Sequence, residues 1–248
     1  MKTIVTLFIL CLLSHSSIAQ KETYIGLEFG PTIDLYDHVD NGNGLYTKPF
    51  VSIPIIGLIA GQEINETFAF ETGLYINSYG ERFLIKGAYG LGFSTAITAY
   101  QIPLRLKARF DLIKDRLSVT TTVGYTIAIN NDYASYASGT GFEQSAISGE
   151  AYNDSTRTQW SSRYDFRKTY GLIETGISLD YRTQRDVTLY LAANHLAGLT
   201  RIVEVDVEYR INDGPIQNGK VFSNGSYYSI VFGVKYPISK WWTQALQE

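Results

Sequence analysis

Three cations recur at alternate positions in one stretch of this chain: Arg105, Lys107 and Arg109, within AYQIPLRLKARF from Ala99 to Phe110. In an extended strand alternate residues share a face. The cations would line one side, with Tyr100, Ile102, Leu104, Leu106, Ala108 and Phe110 on the other. Glu28, Glu71, Glu174, Asp180, Arg182 and Lys235 fall on the corresponding polar phase of other alternating segments. Such a face could conduct anions, or it could be a salt-bridged plug in which opposite signs pair across a narrow interior. Isolated buried charges are costly and narrow barrels are filled by their own side chains, so the plug is the preferred reading.

Nucleophilic chemistry has little to work with. Beyond residue 19 the histidines are His38 and His195. An acyl-transfer site needs a His that activates a hydroxyl, and His195 lies amid Ala193-Asn194 and Leu196-Ala197 with no serine within several residues. It reads as an outward residue of a strand. His38, with Asp37 and Asp40, could hold a cation loosely. DHVDNGNG reads better as a turn, and it lacks the twelfth-position Glu of an EF-hand loop. No catalytic residue, metal ligand or cofactor is expected. Asn131 to Asp165 is rich in Ser, Gly, Asn, Asp and Tyr with no trustworthy period. Its Tyr133, Tyr136, Phe142, Tyr152 and Trp160 suit surface recognition, although a plain surface loop is the simpler reading.

These residues need elements to position them, and the alternation predicts eight strands. They cover Thr23–Leu35, Phe50–Gln62, Phe68–Ser78, Ala99–Phe110, Leu117–Ile129, Phe166–Arg182, a long strand from Val187 through Val207, and Tyr227–Ile238. The second, FVSIPIIGLIAG, is apolar on both faces, and its Pro54 must sit where a missing N–H is harmless. Connections alternate, long after strands one, three, five and seven and short after two, four and six. Glu28, Glu71 and the cations share a phase with Gly26, Gly30, Gly73, Gly124, Gly176 and Gly233, small residues that leave room in a narrow bore. Aromatic residues near strand ends, among them Phe29, Phe68, Phe110, Tyr181, Tyr209, Tyr228 and Tyr236, suit interfacial girdles, whereas Tyr24 falls on the inward phase.

Composition bounds the rest. Met1 to Ala19 has a basic start, an apolar run and small residues before Gln20, the form of a secretory signal too short to span a membrane as a helix. Its Cys11 follows Leu10 and lacks the small preceding residue of a lipidation site. The remainder, residues 20–248, is expected to be one domain free of cysteine, which excludes a disulfide scaffold. Loss of Lys2 moves the net charge from −3 to −4, so nucleic acid is not an expected partner. No later apolar run approaches the roughly 20 residues of a membrane helix. Insertion in lipid therefore requires a closed barrel.

YIGLEFG in the first strand, Gly73-Leu74-Tyr75 in the third and QIPLRLK in the fourth together resemble the small outer-membrane β-barrel proteins of Bacteroidota-type bacteria, OmpA/OmpX-like and PorT-like barrels among them. The resemblance implies an all-β, eight-stranded antiparallel transmembrane barrel of up-and-down topology. The tail Ser239 to Glu248 departs from the many members that stop at an aromatic residue. Tyr236 and Trp242 are thus both open as the assembly signal.

The expected protein is a non-enzymatic integral component of the outer membrane, multi-pass, with both termini periplasmic. It would be a structural anchor or accessory component, with membrane lipid and envelope or secretion-machinery proteins as partners. A role in protein export rests on the resemblance alone. The alternatives are a small pore or transport protein, a lipid-modifying enzyme acting through His195, and a soluble periplasmic barrel or sandwich.

Overall fold

The computed structural model describes residues 22–47, 49–85, 92–135, 146–153 and 156–238. The leader, Tyr136, Phe142, and the tail with Trp242 lie outside the described residues. In chain order the strands are β1 (Thr23–Asp34), β2 (Asp37–Asp40), β3 (Leu45–Thr47), β4 (Phe50–Glu63), β5 (Phe68–Ile85), β6 (Gly92–Ile113) and β7 (Leu117–Ser135). They continue as β8 (Ala146–Asn153), β9 (Thr156–Phe166), β10 (Thr169–Arg182), β11 (Thr188–Gly198), β12 (Val203–Ile211), β13 (Gln217–Ser223) and β14 (Tyr227–Pro237).

Eight of these close on themselves as an antiparallel barrel, in the order β1, β4, β5, β6, β7, β10, β11, β14 and back to β1. Closure leaves no edge, the condition for strands in lipid. Short turns join β4 to β5, β6 to β7 and β10 to β11 at one end. Asp115 and Asp186 take positive φ there, at 59° and 62°, a conformation that Asp tolerates. All long connections leave from the other end.

The predicted faces hold in the barrel wall. On β6, Tyr100, Ile102, Leu104, Leu106 and Phe110 are exposed, while Gln101, Pro103, Arg105 and Lys107 are buried. The outward row from Tyr100 to Phe110, at about 3.4 Å per residue and a tilt of about 40°, makes a band ~25 Å tall. Phe68, Phe110, Tyr181 and Tyr236 lie outward toward the short-turn end, and Tyr100 and Tyr228 toward the long-loop end. An outward apolar band with aromatic edges is the surface that lipid requires. A soluble interior turned outward is excluded, because the charges lie at the centre of the bore while the continuous aliphatic rows of the wall face outward.

The structure explains one of these expectations and corrects others. The second strand is apolar on both faces because its phase flips. Val51 is outward and Ser52 inward, but Ile55 is inward and Ile56 outward. A register shift against β1, between Gly30 and Thr32, puts a bulge at Ile53-Pro54, where a proline costs no ladder bond. The sixth predicted strand starts three residues later than expected, since β9 ends at Phe166 and β10 runs from Thr169 to Arg182.

The long seventh strand is in fact two, broken between Gly198 and Val203. Leu191 faces outward at 57% exposure, whereas Val203, Val205 and Val207 are buried at 1% or less. The intervening residues preserve the odd-even phase, so the break is invisible to alternation. Finally, the segment Asn131 to Asp165 is not irregular in its described residues. It contains the end of β7, then β8 and most of β9.

β8 and β9 join strands from two other long connections in a five-stranded sheet, β2-β13-β12-β9-β8. Val203, Val205, Val207, Tyr209 and Val221 form its buried side, continuous with Leu45, Ile85 and Ile202. Tyr209 therefore belongs to this core and not to an interfacial girdle. Below it Tyr170, Leu172, Leu196 and Tyr227 are buried toward the loop end of the bore, joining the sheet's core to that of the barrel.

Candidate functional site

The barrel interior brings together charged residues from five strands around Arg105. Its Nη1 lies 3.3 Å from Glu28 and 3.1 Å from Glu71, and its Nη2 lies 2.8 Å from Glu174. Lys107 pairs with Glu71 at 2.7 Å, and Lys235 lies 3.9 Å from Glu71 and 3.6 Å from Asp180. Alternation aims every one of these side chains at the axis, and a bore of this size forces them into contact.

Three cations here face four carboxylates, Glu28, Glu71, Glu174 and Asp180. Hydroxyl donors offset the excess negative charge. Tyr24 donates to Glu71 at 2.9 Å, Tyr75 to Glu28 at 2.5 Å, and Tyr190 also donates to Glu28. Thr126 donates to Glu174 at 3.2 Å, and Asp180 accepts from Thr120 at 3.2 Å and Ser178 at 2.5 Å. The phenol rings also take cations on their faces. Arg105 sits 4.9 Å from the Tyr75 centroid, and Lys235 4.4 Å from that of Tyr190. Desolvating each ion costs several kcal/mol, and only this density of partners offsets it.

The three tyrosines share one seat. Tyr24 stands opposite Gly61, Tyr75 opposite Gly57 and Tyr190 opposite Gly233. A Cβ at those glycines would lie 2.1 to 2.3 Å from the ring. Each aromatic ring covers the bare backbone of the next strand, which tilts its hydroxyl toward the carboxylates. A phase of tyrosine against glycine was the available signal for these donors. Tyr190 was missed because its strand was read mainly for its apolar face.

Arg109 and Arg182 stand apart from this centre. They are partly exposed at the short-turn mouth, where Arg109 pairs with Glu63 at 3.0 Å and approaches Asp111 at 3.5 Å. Arg182 pairs with Glu22 at 2.9 Å and Asp186 at 3.1 Å. The mouth opens on a vestibule of about 90 Å³ whose floor includes Lys107 and Lys235. Above Arg105 a second void, lined by Gln101, Asn194 and Tyr227 among others, measures about 10 Å³, room for about one water. The network thus separates the two ends of the bore.

Of the aromatic residues singled out for surface recognition, Tyr133 lies on β7, Tyr152 on β8 and Trp160 on β9, where register pairs Trp160 with Tyr209. The nearby Asp40 is a turn-former. Its carboxylate accepts the N–H groups of Gly42, Gly44 and Leu45 at 3.1, 2.6 and 2.7 Å and the Tyr209 hydroxyl at 2.9 Å. Burial raises the Asp40 carboxyl, but these donors outweigh it and hold it below the usual carboxylate range. Burial and the Asp40 bond together push the Tyr209 phenol up. Among the described residues no group of His, Cys, Asp and Glu is placed to hold a metal ion. His195 stacks on Tyr228 with centroids 4.6 Å apart. Ser229, one residue from Tyr228, is buried on the opposite face of the wall.

No family model matches the chain, and no curated protein matches it. Among solved structures it is similar to the outer membrane protein OprG from Pseudomonas aeruginosa, at 13% identity over 87% of this chain and 96% of that one, with a TM-score of 0.48. It is similar as well to the outer membrane protein AlkL, studied in DMPC lipid bilayers, at 12% identity over 87% of this chain and 89% of that one, with a TM-score of 0.44. Both likenesses are distant, and the functional reading rests on the chain's own geometry.

Proposed function

We propose that this chain is a sealed, non-enzymatic β-barrel of an outer membrane that holds a rigid sheet of its long loops at one membrane face. The observation that carries this is the contact of Arg105 with Glu28, Glu71 and Glu174 at 2.8 to 3.3 Å across the bore. A passage would have to break that contact. The apolar band with aromatic edges supports residence in lipid, and the alternation of short turns with long loops supports an outer membrane. On that arrangement the short turns and both termini face the periplasm, and β2-β13-β12-β9-β8 faces outward to meet partners.

Two measurements test the proposal. The outer-membrane fraction, run on a gel with and without boiling, should show a band whose mobility shifts on heating. The purified chain in planar bilayers should then show no defined conductance. A steady unitary conductance would sink the sealed reading and favour the second one, a small transport protein. That alternative draws on the vestibule, which leads from the short-turn mouth to Lys107 and Lys235. A lipid-modifying role would require His195, so His195→Ala should leave the membrane lipid profile unchanged.

A further inference from the structure

A barrel in lipid ordinarily presents a convex wall, but this one is hollowed across β10, β11, β14 and β1. The depression measures about 550 Å³ and its lining is almost wholly apolar, a volume within the ~300–1,000 Å³ of small-molecule sites. Register explains the hollow. Ala193 stands between Ile177 and Ile230, and the next outward row, toward the long loops, sets His195 beside Tyr228 and Tyr228 beside Ile33. The methyl group of Ala193 leaves a low floor between two tall isoleucines.

His195 closes one end. It is half-buried, stacks on Tyr228 at an interplanar angle of 26°, and its ring makes no hydrogen bond to the protein among the described residues. An imidazole carries a donor and an acceptor that hydrocarbon cannot satisfy, and an ionisable residue on such a wall marks a site.

We infer that the depression seats one acyl chain of a phosphate-bearing membrane lipid, lying over Ala193 between Ile177 and Ile230, with its head group at His195 and Tyr228. Lipid is the occupant because the hollow lies inside the apolar band. Its polar end is at the edge of that band, since Tyr228 is the outward residue of β14 nearest the long loops. Aromatic residues at that depth mark where head groups begin. The inference rests on the band facing lipid, as proposed above.

Native mass spectrometry of the full chain, titrated in detergent with dioleoyl phosphatidylglycerol, tests it. The unaltered chain should retain one lipid in preference to further ones. Ala193→Trp, which fills the floor, should weaken that retention by about tenfold or more. His195→Ala should weaken retention of phosphatidylglycerol but not of dioleoylglycerol, and His195→Gln should restore part of it. Heat-shifted gel mobility identifies the variants that fold.

Equal retention by folded Ala193→Trp overturns the seat, and equal loss of both lipids in His195→Ala overturns the head-group assignment. A dimer abolished by Ala193→Trp would assign the hollow to a second copy of the chain and overturn the lipid. A chain absent from membranes would sink the membrane reading itself, whereas a membrane band with no preferred lipid sinks only this inference.

Discussion

Tyr75 lies directly over Gly57 across the β4–β5 pair, so close that a Cβ at position 57 would stand 2.2 Å from the ring. From there its hydroxyl reaches Glu28 and contacts Arg105, at 2.5 Å in both cases. Gly57→Ala should displace the ring and cost about 1–3 kcal/mol, the range for overpacking a filled interior. Urea unfolding in lipid vesicles would measure it. A variant as stable as the parent would show that Tyr75 can hold its hydroxyl without the glycine seat.

Removing Arg105 leaves Glu28 and Glu174 without a paired cation, while Glu71 keeps Lys107. Arg105→Met should destabilise the barrel by about 3–5 kcal/mol, the cost of breaking a buried ion pair from one side. The temperature at which gel mobility shifts should fall accordingly. Adding Glu174→Gln to Arg105→Met should recover part of the loss, because Glu174, whose ion pair is with Arg105, is then no longer an orphaned charge. No recovery would argue that Arg105 acts by volume and not by charge.

Leu104 is near the middle of the outward row on β6. Leu104→Arg should cost about 2–4 kcal/mol in lipid, as a cation at the bilayer midplane of a barrel does. Glu208→Arg, on the exposed side of the loop sheet, should change stability little. Comparable effects from the two substitutions would contradict the placement of the band.

Asp40 gives a pH dependence with a defined sign. Its carboxyl is held below the ordinary value of about 3.9, so the charged form is the one that the turn favours. That contribution is complete above about pH 4 and fades as pH falls through the lowered folded value. Amide protection at Gly44 and Leu45, taken relative to the intrinsic exchange rate at each pH, should be lost only on acidification, and in Asp40→Ala it should be absent at every pH. Protection that is lost on raising the pH would reverse the sign.

The loop sheet has its own core in Val203, Val205, Val207 and Val221. Val205→Asp should open β12 and its neighbours to protease while the heat-shifted band of the barrel remains. Loss of that shift would mean that sheet and barrel unfold as one unit.

Alternation made the wall legible because lipid on one side and charge on the other demand opposite residue types at successive positions. It failed where that demand lapses. β8 and β9 alternate polar, small and aromatic residues in place of Val, Ile or Leu, so no period of two stands out. β12 keeps the odd-even phase of β11 although its valines face protein and those of the barrel wall face outward. The bulge at Ile53-Pro54 reverses a face without changing composition. Arg105 and Arg109 are four residues apart on one face, yet only the first reaches the centre, because depth along the bore is set by strand stagger that a single segment does not encode.

The Tyr190 hydroxyl and the Glu28 carboxylate that it serves are 162 positions apart in sequence. Contacts this distant form late, since the entropy of closing so long a loop must be met first. While the chain is being made, Glu28 has neither Arg105 nor Tyr190, and β1 has no β14 to pair with. The two meet only when β14 closes the barrel onto β1, so the centre of the bore gains its full set of partners only with the last strand.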